Sequence, residues 1–99
     1  MMGNAANSTA DMDGKVCLVT GATSGIGEVT AAALAASGAQ VIVVGRNQQK
    51  AEDAVQRIQS ETGSELVQYM LADFADLQQV QDLVSSFKNQ YSRLDILIN

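Results

Sequence analysis

Short runs of apolar residues alternate along this chain with longer segments in which apolar residues recur at helical spacing. Apolar runs at residues 16–19, 41–44, 66–71 and 96–98 predict strands, and the segments between them predict helices. The second run is β-branched throughout, which suits a strand that is covered on both faces. The predicted order is therefore β-α-β-α-β-α-β with short connections.

The predicted helices carry signals at their ends. Asn47 and Asp76 are expected to be N-caps of the second and third helices, and Gln79 stands three residues after Asp76, as in a capping box. Glycines end the first two helices near residues 38 and 63. The apolar stripes predicted to face the core comprise Ile26, Val29, Ala33 and Leu34 in the first helix, Ala51, Ala54, Val55 and Ile58 in the second, and Leu77, Val80, Leu83, Val84 and Phe87 in the third.

Strands that alternate with helices predict a parallel sheet, because a parallel return needs a crossover longer than a hairpin, and such crossovers are right-handed. We expect an α/β fold with a Rossmann-type doubly wound parallel sheet. The fourth run reaches Asn99 without a following turn or cap, so we expect this sheet to be incomplete and the sequence to be truncated. Residues 1–13 are expected to be a flexible leader that lacks the features of a signal peptide.

A glycine-rich turn, T-G-A-T-S-G-I-G, occupies residues 20–27, between the first strand and the first helix. Gly21 allows a sharp turn, Gly25 allows a phosphate to approach the backbone, and Gly27 allows the helix to pack closely on the sheet. The helix N-terminus then offers unpaired N–H groups to a pyrophosphate. No Gly-Lys-Ser/Thr ends the turn, which excludes a Walker loop. The alternative is a glycine-rich turn without a ligand. The predicted binding residues here are Gly21, Thr23, Ser24, Gly25, Ile26 and Gly27.

The end of the second strand indicates which dinucleotide binds. An NAD site usually places an acid there, but this sequence has no acid between Glu28 and Glu52. Gly45 is followed by Arg46, whose guanidinium can pair with a 2′-phosphate. Asn47 caps the following helix, contacts the phosphate, or does both. The sequence therefore predicts NADP as the cofactor, with a solvated surface arginine as the alternative interpretation of Arg46.

The Gly-x-x-x-Gly-x-Gly spacing, together with the Gly-Arg-Asn turn at residues 45–47, Asp73 and the run at residues 94–99, resembles the short-chain dehydrogenase/reductase family. The resemblance covers residues 14–99, the N-terminal half of the family's NAD(P)-binding domain, and is greatest for the retinol-dehydrogenase-like group. It implies that Asp73 contacts the adenine amino group, that Phe74 lines the adenine pocket and that Asn99 lies near the adenosine ribose. A turn residue before the third helix is the alternative for Asp73.

The family transfers a hydride between the cofactor and an alcohol or carbonyl substrate, using Ser, Tyr and Lys with a Tyr-x-x-x-Lys pattern. Asp73 stands four residues after Tyr69, and Asp95 four residues after Tyr91, so neither tyrosine fits. Tyr69 is expected to pack in a strand and Tyr91 to end a helix. The resemblance implies an oxidoreductase whose catalytic residues lie beyond Asn99, so we expect these residues alone to be inactive. A non-catalytic nucleotide-binding module is the alternative, and an epimerase or dehydratase is disfavoured by the glycine spacing.

The composition narrows the remaining possibilities. The 99 residues carry a net charge of −5, which argues against nucleic acids and anionic membranes as partners. Histidine is absent and the acids are scattered, so no metal site is predicted, and no apolar stretch reaches the length of a membrane span. Cys17 is the single cysteine and lies in an apolar run, so we expect a buried thiol and a cytoplasmic protein. A homo-oligomer remains open.

Overall fold

The computed structural model describes residues 12–99, which form a four-stranded parallel sheet with helices on both faces. The prediction of a doubly wound α/β fold of Rossmann type is confirmed. Residues 1–11 of the predicted leader lie outside the described residues. The elements are β1 (Val16–Thr20), α1 (Gly25–Ala36), β2 (Gln40–Gly45), α2 (Gln48–Thr62), β3 (Val67–Leu71), α3 (Leu77–Gln90) and β4 (Ile96–Ile98).

The strand order across the sheet is β3-β2-β1-β4, so β1 lies between β2 and β4. The chain steps outward from β1 to β2 and β3 and then returns past β1 to reach β4. Because crossovers between parallel strands are right-handed, α1 and α2 cover one face of the sheet, and α3 covers the other. A crevice opens where the connections on the two sides of β1 leave in opposite directions, at the carboxyl ends of the strands.

The side chains of the central strands alternate between two core clusters. Val19 is fully buried beneath α1 and α2, whereas its neighbour Leu18 faces α3. The first cluster is the larger and includes Cys17, Val19, Ala31, Ala35, Val41, Val43 and Ile58. The second consists of Leu18, Ile42, Val44, Ala72 and Leu83. The β-branched run of β2 is thus buried on both faces, as predicted.

The core-facing stripe predicted for α1 is correct at Leu34, which packs against the first core cluster, but wrong at Ile26, Val29 and Ala33, which are exposed. Ile26 is 86% exposed and Val29 is 69% exposed, whereas Ala31 and Ala35 are buried. These two alanines belong to the first of the two core clusters. The prediction failed because the larger apolar residues were taken to mark the buried side of the helix, whereas alanines form most of it.

The stripe predicted for α3 is only partly correct. Leu83 is buried, but Leu77 is 71% exposed and Val84 is 45% exposed. On β4, Leu97 is 57% exposed. An apolar groove of about 430 Å³ runs between α3 and the β1–β4 side of the sheet. The four strands therefore cover only part of the apolar side of α3 and leave Leu77 and Val84 exposed.

The predicted N-caps of α2 and α3 are confirmed. The side-chain oxygen of Asn47 accepts a hydrogen bond from the Lys50 N–H at 2.9 Å, and Gly63 ends this helix in a left-handed conformation. One carboxylate oxygen of Asp76 accepts from the N–H groups of Gln78 and Gln79. Both caps use local hydrogen bonds within four residues, which is why the sequence alone reveals them.

Two further features concern the described residues as a whole. Cys17 is fully buried, as predicted, and burial raises the pKa of its thiol, so it stays protonated and unreactive at neutral pH. None of the helices within residues 12–99 is both long enough and apolar enough to cross a membrane.

Candidate cofactor-binding site

The residues predicted to bind a cofactor gather at one edge of the sheet. Gly21 follows β1 directly, Arg46 follows β2, Asp73 lies two residues after β3, and Asn99 follows β4. Because all four strands are parallel, their carboxyl ends meet at this edge. Residues separated by up to 78 positions in the sequence are thus brought to a single rim, which borders the crevice beside β1.

The glycine-rich turn has a backbone that other residues adopt only at a cost. Gly21 has a φ of +67° and Gly25 a φ of +63°, both in the left-handed region. A Cβ on Gly27 would clash with the carbonyl oxygen of Gly21. The close neighbour of Gly27 is therefore the turn itself, rather than the strands. The first turn of α1 is pressed directly against the loop that precedes it.

The N-terminus of α1 differs from those of α2 and α3. Ser24 occupies the N-cap position in an extended conformation, but its side chain makes no capping hydrogen bond. The N–H groups of Gly25, Ile26 and Gly27 have no acceptor among residues 12–99. Helix N-termini carry a partial positive charge and attract anions when these donors are free. Of the three helix starts in the described part of the chain, only this one has no side-chain capping hydrogen bond.

The end of β2 is shaped by the turn that lies above it. The side-chain methyl of Thr23 lies 2.8 Å from the position that a Cβ on Gly45 would occupy. This is closer than two carbon atoms approach without strain. An acidic side chain at position 45, the feature of an NAD-type site, would therefore require the Thr23 methyl to move.

Arg46 and Asp73 face each other across the rim. The guanidinium Nη1 of Arg46 lies 4.0 Å from a carboxylate oxygen of Asp73, and the Arg46 side chain is 77% exposed. Asp73 itself is held firmly, because its N–H donates to the side-chain carbonyl of Gln79 and its other carboxylate oxygen accepts from the Ala75 N–H, both at 2.9 Å. The loose contact leaves the guanidinium available to an incoming anion.

Gln79 departs from the predicted capping box. Its side chain does not accept from the Asp76 N–H, which donates instead to the Asp73 carbonyl oxygen at 2.9 Å. The Gln79 amide nitrogen donates to Asp76 at 3.2 Å, while its oxygen holds the Asp73 N–H. A residue predicted to close the helix end therefore also orients a candidate binding residue.

Phe74 and Asn99 lie at the mouth of the apolar groove beside α3. Phe74 is 54% exposed, so its ring has a free face. The Thr20 hydroxyl donates to the Ile98 carbonyl oxygen at 3.2 Å and ties the end of β1 to the end of β4. This hydrogen bond fixes the separation of the two strands on either side of the crevice.

Comparison with known proteins identifies the family of the chain. The sequence profile described as short chain dehydrogenase matches residues 15–99. The chain belongs to the short chain dehydrogenase family.

The WW domain-containing oxidoreductase of Gallus gallus is 43% identical over 99 aligned residues, which cover 93% of this chain and 24% of that protein. Human retinol dehydrogenase 13 is 37% identical over 98% of this chain and 29% of its own length. A crystal structure of a short chain dehydrogenase from Escherichia coli CFT073, complexed with NADPH, superposes with a TM-score of 0.83 at 34% identity, over 92% of this chain and 39% of that one. The predicted resemblance to the family and to its retinol dehydrogenases is confirmed. The chain spans about a quarter of the length of these curated relatives.

Both tyrosine hydroxyls form hydrogen bonds within the fold. The Tyr69 hydroxyl donates to Glu52 at 3.0 Å on the outer strand β3, and Tyr91 follows the last residue of α3 and donates to Gln68 at 3.1 Å. The interpretation of Tyr69 as a strand residue and of Tyr91 as a helix end is confirmed. These hydroxyls tie elements of the fold together.

Sequence reasoning missed two charged residues behind the glycine-rich turn. Arg57 on α2 donates to both carboxylate oxygens of Glu28 on α1, at 2.7 and 2.8 Å, and also to the Thr23 carbonyl oxygen at 3.2 Å. The hydrogen bonds from Arg57 lower the pKa of the Glu28 carboxyl. Arg57 and Glu28 are 29 residues apart in the sequence, and no local sequence pattern predicts their contact.

Proposed function

We propose that this chain is the NADP(H)-binding part of an oxidoreductase that exchanges a hydride between its cofactor and a small alcohol or carbonyl compound. The observation that carries the proposal is the uncapped N-terminus of α1, whose free N–H groups lie at the crevice beside β1. A pyrophosphate is the anion that suits this place, because it accepts several N–H donors at once and its charge complements the helix dipole.

The choice of NADP rests on the rim beside β2. Position 45 is a glycine, so no carboxylate there repels a 2′-phosphate. Arg46 extends its guanidinium into solvent next to that position, with Asp73 as a loose partner at 4.0 Å. A phosphate that forms a bidentate pair with Arg46 offers a shorter and stronger interaction than this contact. Membership of a family with an NADPH-bound structural neighbour agrees with this choice.

The remaining contacts extend along the rim toward the adenosine. We assign Asp73 to the adenine amino group, with Phe74 beside the base and Asn99 near the ribose. Asp73 is suited to this role because Gln79 and Ala75 hold its backbone and side chain in one orientation. The free face of Phe74 provides apolar surface next to it. Asn47 caps α2 and thereby aligns the residue before it.

The chemistry itself requires groups that these residues do not supply. The nicotinamide cofactor would provide or accept the hydride once it is bound. No Tyr-x-x-x-Lys pattern occurs within the 99 residues, so proton transfer to the substrate is assigned to other parts of a full-length protein of the relatives' size. We expect no NADPH oxidation above background from the 99 residues alone with any carbonyl substrate, measured as the loss of NADPH absorbance.

Isothermal titration of the full-length protein with NADPH and NADH tests the proposal. We expect tighter binding of NADPH, and we expect Arg46→Ala to weaken NADPH by about tenfold or more, as a charge-assisted bidentate pair implies, while NADH changes little. Lys50→Ala is the matched control, since it removes a nearby positive charge on the exposed start of α2. Equal affinities for the two dinucleotides would contradict NADP, and failure to bind either would contradict the proposed function.

A further inference from the structure

Arg57 lies on α2, but its guanidinium contacts the structure that is proposed to bind the cofactor. It bridges Glu28, in the first turn of α1, and the carbonyl oxygen of Thr23, in the glycine-rich turn. The Glu28 side chain is only 17% exposed, and that of Arg57 is 52% exposed. One side chain therefore joins α2, the turn and the helix whose N-terminus is free.

The negative charge of Glu28 stabilises α1 but opposes the binding of an anion at its N-terminus. A carboxylate in the first turn is stabilised by the positive end of the helix dipole. Glu28 also directly follows Gly25, Ile26 and Gly27, whose N–H groups are free. An unpaired negative charge there repels an incoming pyrophosphate. The bidentate contact with Arg57 neutralises the carboxylate on the side that faces α2.

The contact with Thr23 acts on the shape of the turn. In a trans peptide the carbonyl of one residue and the N–H of the next point in opposite directions. The described residues contain no cis peptide bond, so fixing the Thr23 carbonyl toward α2 directs the Ser24 N–H away from it. The hydrogen bond from Arg57 to the Thr23 carbonyl oxygen is therefore what orients this peptide plane.

We propose that Arg57 is a positioning residue for dinucleotide binding, which neutralises Glu28 and orients the Thr23–Ser24 peptide behind the pyrophosphate. The inference rests on the proposed function. It concerns the part of the cofactor that NADPH and NADH share, so loss of Arg57 weakens both by the same factor. Loss of Arg46 affects NADPH alone.

A set of charge variants of the full-length protein tests the inference, because each variant is expected either to strengthen or to weaken dinucleotide binding. Arg57→Met leaves Glu28 unpaired, and we expect it to weaken NADPH and NADH alike by about fivefold, the effect of a partly exposed charge pair. Glu28→Gln removes the repelling carboxylate and leaves Arg57 charged, so it tightens both. The double variant lies between the two single variants. These differences shrink in high salt, because screening weakens them.

A purely structural pair would behave differently. If Arg57 and Glu28 only held the helices together, both single variants would weaken binding in parallel with their loss of thermal stability, and that result overturns the inference. So does a loss confined to NADPH. Arg57→Lys keeps the charge without the planar fork, and we expect it to recover part of the affinity. A wild-type protein that binds neither dinucleotide overturns the proposed function, and this inference with it. If the wild type binds both dinucleotides but Arg57→Met and Glu28→Gln do not change the affinity in opposite directions, only the inference is overturned.

Discussion

The methyl group of Thr23 lies 2.8 Å from the point at which a Cβ on Gly45 would lie, so this methyl and a side chain at position 45 would compete for the same space. The position proposed to select the cofactor is thus coupled to a residue of the turn. A side chain introduced at position 45 requires the Thr23 methyl to move or to be removed.

This coupling predicts the outcome of an attempt to reverse cofactor preference. Gly45→Asp alone is expected to lose stability by about 1–3 kcal/mol, the usual cost of overpacking, and to bind both dinucleotides poorly. Gly45→Asp combined with Thr23→Ser removes the obstructing methyl and keeps the hydroxyl, so we expect NADH to bind at least as well as NADPH. Titration of both dinucleotides into the two variants checks this. Tight NADH binding by Gly45→Asp alone would show that Thr23 yields without cost.

The different N-caps of the three helices predict different losses in the free energy of unfolding when each N-cap residue is replaced by alanine in the absence of cofactor. Asn47→Ala and Asp76→Ala each remove a side chain that accepts an N–H, and we expect a loss of about 1 kcal/mol in the free energy of unfolding. Ser24→Ala removes no capping hydrogen bond and is expected to change it very little. Urea denaturation of the three variants and the wild type measures the differences. A loss for Ser24→Ala as large as for the other two would contradict the free N-terminus of α1.

Asp95 predicts a dependence of stability on pH. Its carboxylate accepts hydrogen bonds from Arg93 and from the Val16 N–H, and these lower its pKa from the ordinary value, with Arg93 the larger cause. A group whose pKa is lowered by folding stabilises the fold above its unfolded pKa of about 4 and loses that contribution as pH falls through the folded pKa. We expect stability to decline below about pH 4, in part through Asp95.

Denaturation curves between neutral pH and pH 3 test this assignment. Asp95→Asn retains an oxygen that can accept from the Val16 N–H but no longer titrates, so its stability is expected to fall less steeply in this range than that of the wild type. Arg93→Gln keeps the carboxylate and removes its main partner, which predicts an intermediate slope. Identical slopes for Asp95→Asn and the wild type would remove Asp95 from the explanation.

The parts of the structure that could be predicted from the sequence are those encoded locally. Asn47 and Asp76 cap helices through hydrogen bonds to residues two or three positions away, and the parallel direction of the strands follows from their alternation with helices. The places of the glycine-rich turn after β1 and of Arg46 after β2 also followed from the apolar runs that precede them.

The parts that could not be predicted depend on how closely elements approach. Ile26 and Val29 were expected in the core, but they lie on the exposed side of α1, and Ala31 and Ala35 take the buried side. The contact between Arg57 and Glu28 depends on the position of α2 beside α1, which no local spacing reports. Sequence patterns describe each element well and the distances between elements poorly.

The burial of Ala31 and Ala35 makes the orientation of α1 sensitive to side-chain size. A larger side chain at either position is expected to displace the helix or the strands beneath it, because well-packed cores accommodate added atoms only by backbone shifts. A displaced helix would move the N–H groups of its first turn relative to the crevice beside β1. Substitutions remote from the proposed nucleotide site are in this way expected to change its affinity.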